Sequence, residues 1–169
     1  MKTIILLISL STFGFAFGQK LSADLNIGGQ FNDVQNGFTA NLGIAYKISP
    51  VFALRFDVGN AQFGKNSLTR TTLHALVDLT RAIKEEEMDF ALVVHAGFGT
   101  SNRSNKNLYN DRYLLVGNDM THLAFGLTPS IKVNEKLRFQ IDASYFTYFK
   151  QDGSFPYSLN TTAGLSYTF

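Results

Sequence analysis

The sequence has no cysteine and no tryptophan, few prolines and little net charge. Without cysteine the chain can form no disulfide, no thiol nucleophile and no Cys-ligated zinc site. A formal net charge of +2, with no run of basic residues, argues against nucleic acid as a partner. Only three prolines stand against sixteen phenylalanines and seven tyrosines, a balance typical of β-strands.

No apolar run is long enough to cross a bilayer as a helix. The longest, residues 3–10, follows the basic Lys2 and precedes Ala16-Phe17-Gly18, which places small residues where a signal peptidase needs them. This predicts a signal peptide at 1–18, cleaved before Gln19, and one mature domain at 19–169. A retained amino-terminal helix is the alternative, and lipoprotein anchoring is excluded because no cysteine follows the cleavage site.

The last thirteen residues alternate between two kinds of side chain. Leu159, Ala163, Leu165, Tyr167 and Phe169 occupy one face, and only Gly, Ser, Thr and Asn occupy the other. A period of two predicts a strand. A soluble sheet would turn charged residues toward water, whereas small polar residues suit a narrow interior. The pattern therefore predicts an apolar face toward lipid and a polar face toward the lumen of a transmembrane barrel.

The end of this strand also carries a motif. Gly164-Leu165-Ser166-Tyr167-Thr168-Phe169 resembles the carboxy-terminal signal of bacterial outer-membrane barrels, and Gly164, Tyr167 and Phe169 are the matching positions. The resemblance implies recognition by the barrel-assembly machinery of the outer membrane. An ordinary last strand that ends in phenylalanine is the alternative.

Seven earlier segments show a similar alternation, and together with the last they predict an all-β fold, an eight-stranded antiparallel up-and-down transmembrane β-barrel. The predicted strands are 21–30, 38–48, 52–59, 69–83, 90–98, 122–133, 137–145 and 157–169. Pro129 should leave a bulge or a gap in the ladder of the sixth. The fourth is ambiguous, because Leu76 breaks the alternation and the apolar residues of 73–83 also fit a helix.

The predicted connections alternate between long and short, which places both termini on the periplasmic side. The longest, 100–119, is rich in asparagine and mildly basic. A generic solvated loop is the simpler interpretation, and contact with the phosphates of lipopolysaccharide is the alternative. Outward aromatic residues near the strand ends predict two interfacial girdles. They are Tyr46, Phe52, Phe90, Phe139, Tyr167 and Phe169 at one end, and Phe38, Phe98, Tyr145 and Tyr157 at the other.

Two internal segments extend the resemblance. His95-Ala96-Gly97-Phe98-Gly99, and Gly126 to Val133 with the Asn-Glu-Lys turn that follows, resemble the membrane half of OmpA-type outer-membrane proteins. The likeness covers about residues 20 to 169. The peptidoglycan-binding domain common in that family is not matched, so wall anchoring is not carried over, and the lack of tryptophan is a minor departure.

Charged residues occupy predicted inward positions. An eight-stranded barrel is narrow enough for side chains to fill, and equal numbers of acids and bases predict a compensated lumen network. Its predicted members are Asp24, Asp57, Asp78 and Asp142 with Lys47, Arg55, Lys132 and Arg138, and His95 beside them. A fourth connection centred near Glu86-Glu87 would place Asp78 opposite His95.

Other functions receive less support from the residues. A barrel enzyme acting on lipid A or phospholipid needs a nucleophile, a base and an acid in contact, and no serine is predicted opposite His95. The candidates considered are His74, His95 and His122 with Ser101, Ser104 and Ser144. No metal-ligand spacing is present, and Gly97-Phe98-Gly99 is typical of close strand packing rather than of a nucleotide loop. A lipocalin-type carrier would need its apolar rows inside.

We therefore expect an integral outer-membrane protein with a structural or surface-interaction role, a plugged lumen, no enzymatic activity, no cofactor and no metal. A narrow gated pore is the alternative. The expected partners are outer-membrane lipid, lipopolysaccharide and, during biogenesis, the barrel-assembly machinery. The chain is expected to be a monomer.

Overall fold

The computed structural model describes residues 20–32, 36–64, 66–84, 88–104, 119–149 and 157–169. The predicted signal peptide, 1–18, lies outside the described residues, as does 105–118, which is most of the predicted surface loop. No helix within the described ranges is both long and apolar enough to cross a membrane.

Eight antiparallel strands form one closed barrel, in which each strand pairs with its neighbours in sequence and β8 pairs with β1. The predicted fold class is thereby confirmed. The strands are β1 Leu21–Phe31, β2 Asn36–Lys47, β3 Phe52–Phe63, β4 Asn66–Asp78, β5 Phe90–Ser104, β6 Asp119–Lys132, β7 Leu137–Phe149 and β8 Tyr157–Thr168. We call the end with Leu21 and Phe169 the turn end and the opposite end the loop end.

The two faces of the sheet are oriented as the alternation predicts. In β8 the Leu165 side chain is 48% exposed on the outside, whereas Thr162 is 2% exposed and faces the lumen. The outward apolar residues form a band around the barrel, which we call the apolar belt: Leu25, Ile27, Leu42, Ile44, Phe56, Leu73, Phe125, Leu127, Ile141 and Leu165. This orientation excludes the carrier with an apolar interior.

The predicted girdle residues also lie on the outside. Nine are exposed and Phe52 is half-buried. Tyr145 stacks on Tyr157 near the loop end, with ring centroids 5.7 Å apart. Tyr167 meets Phe169 edge to face at 5.3 Å near the turn end.

Strands β3 to β6 extend farther toward the loop end than the sequence predicts. The stretch 60–67, predicted as a loop, continues β3 to Phe63 and starts β4 at Asn66. Gly64 turns the chain with a φ of 56°, a conformation that glycine adopts without strain. Likewise, 100–104 belongs to β5. The prediction of loops at these positions was wrong because the alternation changes sign there: Asn60 and Gln62 face outward and Ala61 and Phe63 face inward.

The strand and helix interpretations of residues 69–83 are each correct for part of this segment. The segment is a strand through Asp78 and a short helix, α1 (Leu79–Ile83), beyond it. The Asp78 carboxylate accepts hydrogen bonds from the backbone N–H groups of Thr80 and Arg81, at 3.0 and 3.2 Å, and so caps the helix. The fourth connection, 79–89, is therefore long and the third is short, so the predicted alternation of loop lengths is wrong at both places.

The predicted ladder gap at Pro129 is confirmed. Strands β6 and β7 pair at Leu127 with Ala143 and at Ser130 with Gln140, and the two residues between them on each strand are unpaired. The register is the same on both sides, so the irregularity is a gap and not a bulge.

Candidate functional site in the barrel interior

Six ionisable side chains from five strands meet inside the barrel, and we call them the ionic layer. They are Asp24 of β1, Arg55 and Asp57 of β3, His74 of β4, His95 of β5 and Asp142 of β7. All lie on the inward face, where the strand period of two places them. Five are buried and Asp57 is nearly so.

Arg55 lies at the centre of the ionic layer. Its Nε donates to Asp57 Oδ2 at 2.9 Å, and its two terminal nitrogens lie 3.8 Å from Asp142 Oδ2 and 4.0 Å from Asp24 Oδ2. One guanidinium thus joins three carboxylates from three strands. Since a buried charge is costly unless it is paired, these contacts hold the layer together.

Two histidines complete the layer. His74 Nε2 lies 3.1 Å from Asp57 Oδ2, and His95 Nε2 lies 3.0 Å from Asp142 Oδ2. The rings meet edge to face with centroids 5.0 Å apart. Asp142 Oδ2 also accepts from the Thr128 hydroxyl at 2.8 Å, and its other oxygen accepts from the Ser144 hydroxyl. Each histidine therefore has a carboxylate that orients its ring.

Glycines on the adjacent strand provide the space for both rings. Gly97 pairs across the ladder with His74, and Gly126 pairs with His95. A Cβ atom at Gly97 would lie 2.5 Å from His74 Nδ1, and one at Gly126 would lie 2.6 Å from His95 Nε2. The predicted role of Gly97 in close packing is thus confirmed, because a larger residue would displace the imidazole.

An apolar cluster fills the lumen nearer the loop end. We call it the loop-end plug, and it consists of Ala61, Phe63, Leu68, Met120, Ala124, Phe146 and Tyr148. The Arg70 guanidinium stacks on Phe146, 4.2 Å from the ring centroid, and its nitrogens lie 3.4 to 3.5 Å from oxygen atoms of Thr39, Asn41 and Tyr148. Gln30 donates to Ser158 at 2.8 Å. Polar groups at the edge of the plug thus bond to one another.

The predicted lumen residues divide into two groups. Asp24, Arg55, Asp57, His95 and Asp142 meet in the ionic layer, whereas Lys47, Asp78, Lys132 and Arg138 lie near the turn end. Arg138 donates to Ser130 Oγ at 3.1 Å and to the Asp89 carbonyl at 3.0 Å. Of the four predicted bases, Arg55 is the one that the ionic layer contains.

The predicted pairing of Asp78 with His95 is wrong. Asp78 pairs with Val93, and His95 pairs with Leu76. The register differs by two residues from the one centred on Glu86-Glu87, because α1 takes part of the connection and moves its centre. Asp142, two strands away around the barrel wall on β7, is the acid that His95 contacts.

Sequence reasoning missed three members of this site. The sequence suggests His74 as a catalytic candidate and not as a network member, Ser144 as a possible catalytic hydroxyl, and Thr128 only as a small polar inward residue. The alternation in β4 could have identified His74, since it shares the inward face with Thr72 and Leu76. No pattern along one strand could have identified the bonds of Thr128 and Ser144 to Asp142.

A serine and a histidine do meet inside the barrel. Ser101 Oγ lies 2.7 Å from His122 Nδ1, and His122 Nε2 lies 2.9 Å from the Thr72 hydroxyl. The arrangement resembles a nucleophile and its base, but a threonine stands where a triad has an acid. Ser101 is 2% exposed and His122 is 0% exposed, so a lipid could not reach either. Within the described ranges no three His, Asp or Glu residues are placed to hold a metal ion.

The residues predicted as an assembly signal lie at the turn end of β8. Gly164 packs closely against β1, where a Cβ atom would collide with the backbone of Leu25 and Asn26. Tyr167 and Phe169 are 42% and 39% exposed on the outer face. All three are therefore placed in the β8 to β1 closure of the barrel and on the surface beside it.

Neither protein-family models nor curated sequences match this chain, but solved structures do. The neisserial surface protein A (NspA) is 15% identical, with a TM-score of 0.63 over 88% of this chain and 96% of that one. The N-terminal barrel domain of Pseudomonas aeruginosa OprF is 16% identical, with a TM-score of 0.62 over 90% and 99%. The outer-membrane enzyme PagL is 11% identical, with a TM-score of 0.55 over 88% and 99%. The shared feature is the fold of eight-stranded outer-membrane barrels.

Proposed function

We propose that this chain is an integral outer-membrane barrel that serves as a structural element or a surface for interaction, with a lumen closed by its own side chains. The apolar belt supports the membrane location, because a soluble barrel would expose its large apolar residues far less. The fold shared with NspA and OprF supports the outer membrane as the compartment. We infer membership of the OmpA type from the resemblance of His95 to Gly99 and Gly126 to Val133.

The observation that carries the closed-lumen proposal is the succession of two filled layers. The ionic layer spans the lumen with side chains from five strands, and the loop-end plug fills the lumen beyond it. A cavity of about 20 Å³ lies between them, with Arg55, Arg70 and His74 among its lining residues. That space suits about one water molecule and no larger solute.

Conductance of the refolded protein in a planar bilayer tests this proposal. We expect no steady current from the wild type. The double variant Arg55→Ala, Tyr148→Ala removes a central member of each layer, and we expect it to conduct. A matched variant with two outward truncations, Phe56→Ala and Phe98→Ala, should stay silent. Steady wild-type openings would contradict the closed lumen.

Gated passage of small solutes is a second candidate. It is favoured by the composition of the ionic layer, which is held by side-chain contacts alone and centred on one guanidinium. Rotation of Arg55 away from the carboxylates would open this layer, although the loop-end plug would also have to move. Wild-type openings that vanish in Arg55→Leu or Arg138→Leu would favour passage over a static scaffold.

We infer that the chain is not an enzyme. Support comes from the burial of the Ser101 and His122 pair and from the threonine in the position of the acid. PagL shares the fold and is an enzyme, so the inference needs its own test. Mass analysis of lipid A and phospholipid from cells with and without the protein should show no difference in acylation, and a difference that Ser101→Ala abolishes would overturn the inference.

The proposed partners follow from the outer surface. We expect a monomer surrounded by outer-membrane lipid, with lipopolysaccharide at the loop end and the barrel-assembly machinery acting on Gly164, Tyr167 and Phe169 during biogenesis. Deletion of Phe169 should lower the amount of protein that reaches the outer membrane fraction, whereas Phe139→Ala, an outward change elsewhere at the turn end, should have little effect. Equal amounts in both would argue against a terminal signal.

A further inference from the structure

A blind cavity of about 170 Å³ lies at the turn end of the lumen, and we call it the vestibule. All eight strands contribute to its wall, and Asp24 and Arg55 of the ionic layer form its inner end. Residues 49–51 and helix α1 lie at its rim. Its volume is below the roughly 300 to 1,000 Å³ typical of sites for drug-sized ligands, so it suits a molecule with few atoms.

Cationic side chains predominate among the described residues around the mouth of the vestibule. Outside the ionic layer, the described lining residues include four cations and one carboxylate. The cations are Lys20, Lys47, Arg81 and Arg138. The carboxylate, Asp78, is already engaged, since it caps α1 and lies 3.9 Å from Arg81. Part of this positive charge offsets the carboxylates of the ionic layer below, and the formal charge summed over the described lining residues remains positive, which favours an anion.

One half of the vestibule wall is richer in apolar side chains. Strands β2 to β5 contribute Ala45, Leu76 and Val93 beside the charged Lys47, Arg55 and Asp78, whereas β6 to β1 contribute mainly hydroxyl and amide side chains together with Arg138. Leu76 is the inward residue that breaks the alternation of β4, and its side chain is buried in this wall. Inward apolar residues beside a polar half make the cross-section of the cavity amphipathic.

We propose that the vestibule binds small amphiphilic anions, specifically carboxylates with a short alkyl chain. The carboxylate would lie among Lys47, Arg138 and the neighbouring hydroxyl groups, and the alkyl chain would pack against Leu76 and Val93. The ionic layer closes the inner end of the cavity, so the vestibule is a binding pocket and not the entrance of an open channel. Few convergent polar groups beside an apolar wall are the usual features of a small-molecule site.

The test is a titration of the isotopically labelled full chain in phospholipid nanodiscs, because detergent chains could occupy the same cavity. Hexanoate is the probe, and amide chemical shifts report its position. We expect saturable shifts at inward residues of the turn end, such as Ala45, Val93 and Ser166, and none in the loop-end plug. Hexylammonium, with the same chain and the opposite charge, should give no saturable shifts, and acetate should bind more weakly than hexanoate.

Two variants separate the charge from the apolar wall. Lys47→Gln should weaken hexanoate and acetate alike, by about fivefold. Val93→Thr keeps the side-chain shape and should weaken hexanoate while leaving acetate within about twofold. Lys132→Gln is the matched control, because Lys132 pairs with Arg138 across the ladder but does not line the cavity. Its hexanoate affinity should match that of the wild type.

Several outcomes would overturn the proposal. Absence of saturable shifts with hexanoate would do so, as would equal binding of hexanoate and hexylammonium, which would indicate partition into lipid. A loss of affinity in Lys132→Gln as large as in Lys47→Gln would show that general surface charge explains the binding. The chemical shifts are measured independently of conductance. Absence of hexanoate binding would therefore not contradict the closed-lumen proposal, and a conducting wild type would not prevent the hexanoate titration from testing the vestibule.

Discussion

The belt region and the loop end of this barrel use opposite polarity. In the belt region, Phe56 and Leu73 face outward and Asp57 and His74 face inward. Nearer the loop end, the inward residues form the apolar plug and the outward ones form what we call the polar collar: Asn60, Gln62, Thr69, Thr100, Asn102 and Thr121. In the collar, Asn60 donates to Thr69 Oγ1 at 3.0 Å.

The change of polarity along the outer face indicates where the strands would leave the bilayer. A lipid-facing surface must be apolar, so polar groups gather inside, where they bond to one another. Where the outer surface meets headgroups or water, polar residues can face outward and the interior can be an ordinary apolar core. In the proposed membrane location, the same strands β3 to β6 would run from the bilayer into surroundings that resemble those of a soluble barrel.

Truncation inside the loop-end plug should have the largest effect. Phe146→Ala removes a buried ring that packs on Arg70 and Tyr148, and we expect the free energy of unfolding to fall by about 3 to 5 kcal/mol. Unfolding in phospholipid vesicles can be followed by circular dichroism, since the chain has no tryptophan to report by fluorescence. Phe98→Ala, on the outer face, is the control and should cost less. Equal losses would mean that the plug is not a packed core.

Removal of one carboxylate should be nearly as costly in the ionic layer. Asp142→Ala leaves His95 and Thr128 without their acceptor and takes one acid from Arg55, with an expected loss of about 3 to 5 kcal/mol. Asp78→Ala removes an acid at the turn end, where a helix cap and a partly exposed contact with Arg81 are lost, and should cost about 1 kcal/mol. The same denaturation measurement compares them. A similar loss of stability in both variants would support the predicted single network, in which Asp78 and His95 belong together.

A charge placed on the outer face should distinguish the belt from the collar. Phe56→Arg, in the belt, should lower stability in a bilayer by about 2 to 4 kcal/mol, and Thr69→Arg, in the collar, by about 0 to 1 kcal/mol. The loss at Phe56 should shrink when the protein is refolded in detergent micelles, which adapt more readily around a charge. If both variants unfold at the same denaturant concentration in vesicles, the proposed bilayer boundary is misplaced.

The smallest loss of stability should come from adding one methyl group at Gly126, beside the His95 ring. Gly126→Ala places a Cβ about where the His95 ring lies, so the ring or the strand must shift, at a cost of about 1 to 3 kcal/mol. The reporter is the imidazole resonance of His95, which should move while that of His122 stays. Ala96→Val, an outward enlargement beside His95, is the control. An unchanged His95 resonance in Gly126→Ala would indicate spare room in the ionic layer.

Much of the fold could be predicted because the alternation of one strand already distinguishes a lipid-facing from a lumen-facing surface. The parts of strands that were predicted as loops, Asn60 to Phe63 and 100–104, lie at the loop end. The alternation continues there, but polar residues face outward, and at Ala61 and Phe63 apolar residues face the lumen. Residues 79–83 were ambiguous for a different reason. A helix cap at Asp78 ends the strand, and the apolar spacing does not mark that point.

By itself the sequence determined the number of strands and which face of each is turned outward, because these depend on a period of two within single segments. Their antiparallel order followed from the short connections between successive strands. The tertiary structure alone decided which side chains meet in the lumen. Arg55 joins carboxylates from three strands, and His95 contacts Asp142 rather than Asp78. The physical reason is closure: contacts across the lumen depend on the stagger of all eight strands, and one short helix in a connection shifts the register by two residues.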